Sequence, residues 1–138
     1  MKLTITVPGT PVADTRPRVT KNGVYDPRAK EKLRFRDYAK AQCLYLPPKD
    51  AVMLFATFIM PRPKSHYGTG RNSGKLKPSA PIRYQHTVKP DIDNLLKFVL
   101  DALNGIAYVD DKQVAFCSAK KRYTDSHDPR TIVEIEEA

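Results

Sequence analysis

Tryptophan is absent from the 138 residues, glycine occurs six times and cysteine twice. Cys43 and Cys117 stand too far apart for a CxxC pair or a zinc-ligand spacing, so they read as thiols of a reducing compartment rather than a disulfide scaffold. No run approaches the roughly 18 apolar residues of a membrane-spanning helix. Met1 to Val12 alternates in polarity and contains Pro8 and Pro11, so it lacks the unbroken apolar core of a signal peptide. A cytoplasmic protein is the resulting expectation. The most informative absence is of negative charge: residues 62–89 hold seven Lys/Arg and no Asp or Glu.

The charge that is present is unevenly placed. Net charge is +9; residues 1–49 carry eleven Lys/Arg against four acids, whereas residues 90–138 carry six against ten. Scattered lysines alone would describe a solvated surface. A basic body with an acidic last third instead favours a polyanionic partner, nucleic acid first. With 41% hydrophobic and 28% charged residues, 1–138 reads as a single globular domain.

Leu3, Ile5 and Val7 alternate with Lys2, Thr4 and Thr6, the pattern of a half-buried strand ended by Pro8-Gly9. Thr10 to Lys21 reads as loop, with Arg16-Pro17-Arg18 at its centre, and Asn22-Gly23 is a hairpin-turn signal. Asp26-Pro27 predicts a helix start, Asp as N-cap, running to about Cys43 or Leu44. Leu33, Tyr38, Ala39 and Ala41 to Leu44 can supply its apolar stripe. Ala51 to Met60 is the most apolar run and is expected as the core strand, stopped by Pro61. Residues 62–89 read as a long basic loop. From Ile92 to Asn104, apolar residues at 92, 95, 96, 99, 100 and 103 give the cleanest amphipathic helix, closed by Asn104-Gly105. Gln113 to Tyr123 and Arg130 to Ile135 read as strands, expected to pair as a hairpin, with Val133 and Ile135 on one face. The expected fold is α+β: one mixed sheet with two main helices packed on it, in the order β-α-β-loop-α-β-β.

Asp91-Ile92-Asp93 opens the second helix, and Asp110-Asp111 follows it. Residues i and i+2 of a helix point about 200° apart, so Asp91 and Asp93 can share a ligand only if Asp91 precedes the helix. Pro90 favours such a boundary. Acids at a helix N-terminus are also ordinary caps, so this dipeptide pattern does not by itself define a site. Lys97 lies four residues beyond Asp93 and four before Asp101, making one polar stripe opposite the buried face. If the strand after Asp111 runs beside the helix start, three carboxylates converge there, a costly cluster unless a cation fills it. Oxygen-only donors indicate Mg²⁺, with Mn²⁺ as a substitute, rather than zinc. A carboxylate-bound Mg²⁺ amid Lys/Arg suits phosphoryl chemistry, with Lys97 placed to meet a phosphate. His66 and His86 are read as phosphate contacts rather than ligands, and Tyr67 and Tyr84 as aromatics that could stack on a base.

These residues carry a resemblance. Lys89-Pro90-Asp91-Ile92-Asp93-Asn94 through Lys97 and Asp101 to Asp110-Asp111-Lys112-Gln113-Val114 is similar to the signature of the RusA-type Holliday junction resolvases. Val7-Pro8-Gly9, Arg16-Pro17-Arg18, Tyr25-Asp26-Pro27 and Lys120-Lys121-Arg122-Tyr123 also look like that family. The resemblance implies a RusA-like fold and a homodimeric, Mg²⁺-dependent endodeoxyribonuclease of a bacterium or phage. It implies resolution of four-way junctions in recombination and repair by paired symmetric nicks. It implies that Asp91, Asp93 and Asp111 bind the metal, that Lys97 is essential to catalysis, and that Asp101 and Asp110 are companions. The long loop at 62–89 departs from the compact members. Arg16, Arg18, Lys21, Lys64, Arg71, Lys75 and Lys77 are the expected DNA contacts. A less selective nuclease acting on flaps or forks, and a non-catalytic DNA-binding module, are the competing readings.

Overall fold

The computed structural model describes residues 2–138. Its main sheet has four strands: β1 (Lys2–Pro8), β4 (Val52–Met60), β5 (Val114–Tyr123) and β6 (Arg130–Glu137), in the spatial order β1-β6-β4-β5. A separate hairpin pairs β2 (Arg18–Thr20) with β3 (Gly23–Tyr25) around a Lys21-Asn22 turn. Two helices, α1 (Ala29–Gln42) and α2 (Ile92–Ala102), complete the α+β architecture.

The most apolar strand takes a central place. Nine residues of β4 supply Val52, Leu54, Ala56 and Phe58 to one face, all buried against the helices. β1 and β6 pair antiparallel and bury Ile5, Val7, Val133 and Ile135 on that same face, as their alternation predicts. The expected β5–β6 hairpin does not form. β4 lies between them, parallel to β5 and antiparallel to β6. A parallel neighbour needs a long crossover, and residues 61–113, including α2, provide it. β5 is consequently an edge strand, and its Phe116 meets Phe55 on the sheet face turned away from the helices.

The helix boundaries differ in detail from the sequence reading. α1 begins after Arg28, and Asp26 instead accepts a hydrogen bond from the Arg28 N–H one turn earlier. Its buried residues are Phe35 and Ala39; Leu33 is 62% exposed, and Tyr38 and Leu44 also face solvent. The reason is tertiary. Phe35 packs edge-on against Phe98 of α2, ring centroids 5.7 Å apart, which turns Leu33 outward. α2 buries Leu95, Phe98, Val99 and Ala102, while Ile92 at its start is partly exposed. Past α2, Gly105 takes φ +78°, a left-handed turn that glycine adopts freely, and Leu103, Ile106, Ala107 and Tyr108 close the core. Arg36 of α1 donates to the carbonyls of Ala102 and Asn104, satisfying acceptors that the C-terminus of α2 leaves free.

Residues 61–90 are a built lobe rather than a bare loop. Two 3-10 turns, Lys64–His66 and Gly70–Asn72, lie within it, and Tyr67 bridges to Leu76. Arg62 donates to the Pro81 carbonyl and lies over the Tyr123 ring. The Tyr123 N–H donates to Arg83, and Lys121 donates to the carbonyls of Val88 and Pro90. The far end of β5 thus holds both the lobe and the entry to α2.

Candidate metal and DNA site

Asp91 is the N-cap residue of α2, with extended backbone, so it precedes the helix as the i,i+2 geometry requires. Its side chain makes no capping hydrogen bond. Asp93 follows in the first turn, exposed, and accepts a hydrogen bond from the Asn94 N–H. The pair therefore is not explained by capping through the Asp91 side chain, and both carboxylates gain from the helix N-terminus.

Asp110 and Asp111 divide two tasks. Asp110 caps a 3-10 turn over Asp111–Gln113, accepting from Lys112 N–H, and the Gln113 side chain reaches back to the Asp110 and Val109 N–H groups. The hydrogen bond from Lys112 holds the Asp110 carboxyl below its usual range. Asp111 is freed for the cleft, and its N–H donates to the Asn104 side chain at 2.7 Å. Burial, with Asp110 and Asp101 beside it, pushes the Asp111 carboxyl above its usual range. Asn104 and Gln113 were missed as site residues from sequence. Gln113, three residues beyond Asp110, has the spacing of a capping box and could have been found that way.

A cleft of about 400 Å³ opens between α2, the Asp111 turn and the segment after β1. From α2 it is lined by Asp93, Leu96, Lys97, Leu100 and Asp101, and Asp111 faces it from the turn. Asp14, Thr15 and Pro17 close it from the N-terminal segment, with Asp26 and Lys32 at its base. Asp93, Lys97 and Asp111 are thus brought to one space, while Asp91 stands at the helix start outside that lining. Among the described residues, no group of three or more His, Cys, Asp or Glu side chains is arranged to hold a metal ion. Asp14, Asp26, Asp93, Asp101 and Asp111 offer carboxylate oxygens to the cleft, a donor chemistry that suits a hard divalent cation.

The polar stripe on α2 is resolved differently from its i,i+4 spacing. Asp101 pairs with Lys32 of α1 at 2.7 Å, not with Lys97. Lys32 also meets Asp26 at 2.6 Å and Asp14 at 3.2 Å, and its side chain is only 12% exposed. Desolvation alone would favour the neutral amine; the three carboxylates outweigh it and hold the ammonium charged well above the ordinary lysine range. Among the described residues, Lys97 has no hydrogen-bond or ion-pair partner within the chain, and its exposed side chain faces the cleft.

All seven expected DNA contacts are exposed. Arg16, Arg18 and Lys21 stand on the segment beside the cleft, and Lys64, Arg71, Lys75 and Lys77 on the lobe. The two histidines differ. His86 is 7% exposed, its ring against Tyr123, so it is not presented as a phosphate contact; His66 packs edge-on to the same tyrosine and is half-buried. Tyr67 stacks on His127, whereas Tyr84, with Arg83 over one side of its ring, remains 61% exposed.

The chain is similar to known proteins over nearly its whole length. The uncharacterized protein YqaN of Bacillus subtilis (strain 168) is 34% identical over 138 residues, covering 96% of this chain and 94% of that protein. The family described as Endodeoxyribonuclease RusA matches residues 8–136, a span containing every carboxylate of the cleft, Lys97 and both groups of exposed cations. The chain belongs to the RusA endodeoxyribonuclease family.

Proposed function

We propose that the protein is a Mg²⁺-dependent endonuclease that resolves four-way DNA junctions by paired nicks. The observation that carries this reading is that Asp93, Lys97 and Asp111 open on one cleft beside exposed cations, in a chain of this family. Asp93 and Asp111 would hold the metal, with Asp91 adjoining them at the helix start. Bound there, Mg²⁺ would supply Lewis-acid charge toward a phosphate oxygen and lower the pKa of a bound water.

The chain's own residues do the rest. Lys97, without an ion-pair or hydrogen-bond partner among the described residues, meets the phosphate and the charge that develops on it. Leu96 and Leu100 give the cleft an apolar wall, which strengthens electrostatic contacts inside it. Asp101 is neutralised by Lys32 and acts as a companion rather than a ligand. Arg16, Arg18 and Lys21 grip backbone phosphates beside the cleft, and Lys64, Arg71, Lys75 and Lys77 extend the contact over the lobe. Two nicks related by the branch symmetry need two such sites, so the active form is a two-fold homodimer.

The test is a Mg²⁺ titration against a synthetic four-way junction, a flap and linear duplex. Symmetric nicks on the junction with duplex left intact are expected. Equal cutting of flaps would replace this reading with a broader structure-specific nuclease. Binding without cutting in Mg²⁺ or Mn²⁺ would end the catalytic reading.

A further inference from the structure

Residues 15–25 form eleven consecutive exposed positions beside the cleft, which Thr15 and Pro17 help to line. They carry Arg16, Arg18 and Lys21 and no acid. They also expose Val19 at 81% and Val24 at 67%. Within the segment, β2 and β3 pair with each other, and Thr20 Oγ1 donates to the Gly23 carbonyl. Among the described residues, no hydrogen bond or ion pair joins residues 15–25 to the body beyond its two roots.

Those roots are Asp14 and Asp26, and both meet one atom, the Lys32 Nζ. The third acceptor on the same ammonium is Asp101, on the helix that carries Asp93 and Lys97. Asp14 is tied to α2 a second time, its N–H donating to the Asn94 carbonyl at 2.9 Å. A surface ion pair would contribute little. Here, however, the lysine is nearly buried, and leaving three carboxylates together without their cation is costly. The arrangement couples the base of a cationic hairpin to the site helix through one side chain.

We propose that the hairpin is a jaw for the phosphate backbone of the DNA strand entering the cleft, and that Lys32 is the positioning residue that holds the jaw to α2. This rests on the reading of the cleft as a nuclease site. Lys32 touches no reacting atom. It sets where Arg16, Arg18 and Lys21 stand relative to Asp93 and Lys97. A phosphodiester chain is the ligand that the hairpin's chemistry suits, since it offers three cations on a ribbon without acids.

A double-mutant cycle on junction affinity tests this, measured without divalent cation so that no strand is cut. In the unmodified protein, Arg18→Ala with Lys21→Ala should weaken binding about tenfold at moderate salt. In a Lys32→Met background the same pair should cost less than about twofold, because a jaw that is no longer held contributes little. Lys32→Arg should restore most of the coupling, which a role in folding alone would not explain. If Lys32→Met does not fold, Asp26→Asn releases one root and leaves the other two pairs, and it should give an intermediate coupling. Equal losses in both backgrounds would overturn the clamp, and no loss on neutralising the hairpin would overturn the jaw. Cutting assays separate the two readings. Coupled binding with no cutting in Mg²⁺ removes the nuclease reading alone, whereas cutting that persists without coupling removes the clamp alone.

Discussion

Asp111 and Lys97 share the cleft but are held there in different ways, so their substitutions should differ. Asp111 sits near Asp110 and Asp101 with no cation paired to it among the described residues, so its charge opposes the folded state at neutral pH. Asp111→Asn should abolish cleavage while leaving the melting temperature unchanged or slightly raised; a clear loss of stability would mean that the carboxylate has a structural role. Lys97 has no partner to lose among the described residues. Lys97→Ala should leave folding and junction affinity near those of the parent and lower the single-turnover rate about 10²-fold. An unchanged rate would remove it from the chemistry. Asp91→Asn and Asp93→Asn should retain junction binding without cutting, since each removes a negative charge beside DNA.

Elements show how packing placed these residues. Phe98 joins α2 to α1 through Phe35, so Phe98→Ala should cost about 3–5 kcal/mol by chemical denaturation. A much smaller cost would mean that the helix pair is not held by this contact. The lobe at 61–90 should be sensitive to acid. Burial, and then the nearby Lys121, lower the His86 imidazole below its ordinary value of 6.5. Burial, and then Arg62 and Lys77, do the same for His66. A depressed base contributes stability that is fully present above its ordinary value and is lost as pH falls below it. Amide exchange across residues 61–90, corrected for its intrinsic rate, should therefore accelerate between pH 7.5 and 5.5, and His86→Phe should flatten that dependence. A parent lobe indifferent to pH would contradict this.

For the whole molecule, affinity for DNA should be dominated by phosphate contacts. The slope of log affinity against log salt should fall by about 0.9 for each cation that touches a phosphate and is neutralised. Removing Arg16 and Arg18 therefore tests the hairpin, and removing Lys64, Arg71, Lys75 and Lys77 tests the lobe. A slope unchanged by the second set would reduce the lobe to a scaffold for the α2 entry. Light scattering on the free protein and on a junction complex would decide whether two copies assemble, before or upon binding.

Local pattern was enough for several features. The 3.6-residue period of α2, the alternation of β1 and β6 and the apolar run of β4 each report a single element's own burial, so they are legible without neighbours. The place of Asp91 before the helix followed from the i,i+2 geometry and Pro90. What the sequence could not determine depended on contacts between distant residues. β4 separates β5 from β6 because its residues are the most apolar and the centre of a sheet buries most. α1 presents Phe35 rather than Leu33 because Phe98 is there to receive it. Asp101 turns to Lys32 rather than Lys97 because α1 and α2 pack side by side, and helical spacing cannot register a partner 69 residues away. That long-range choice leaves Lys97 free in the cleft, which the order of residues along the chain could not decide.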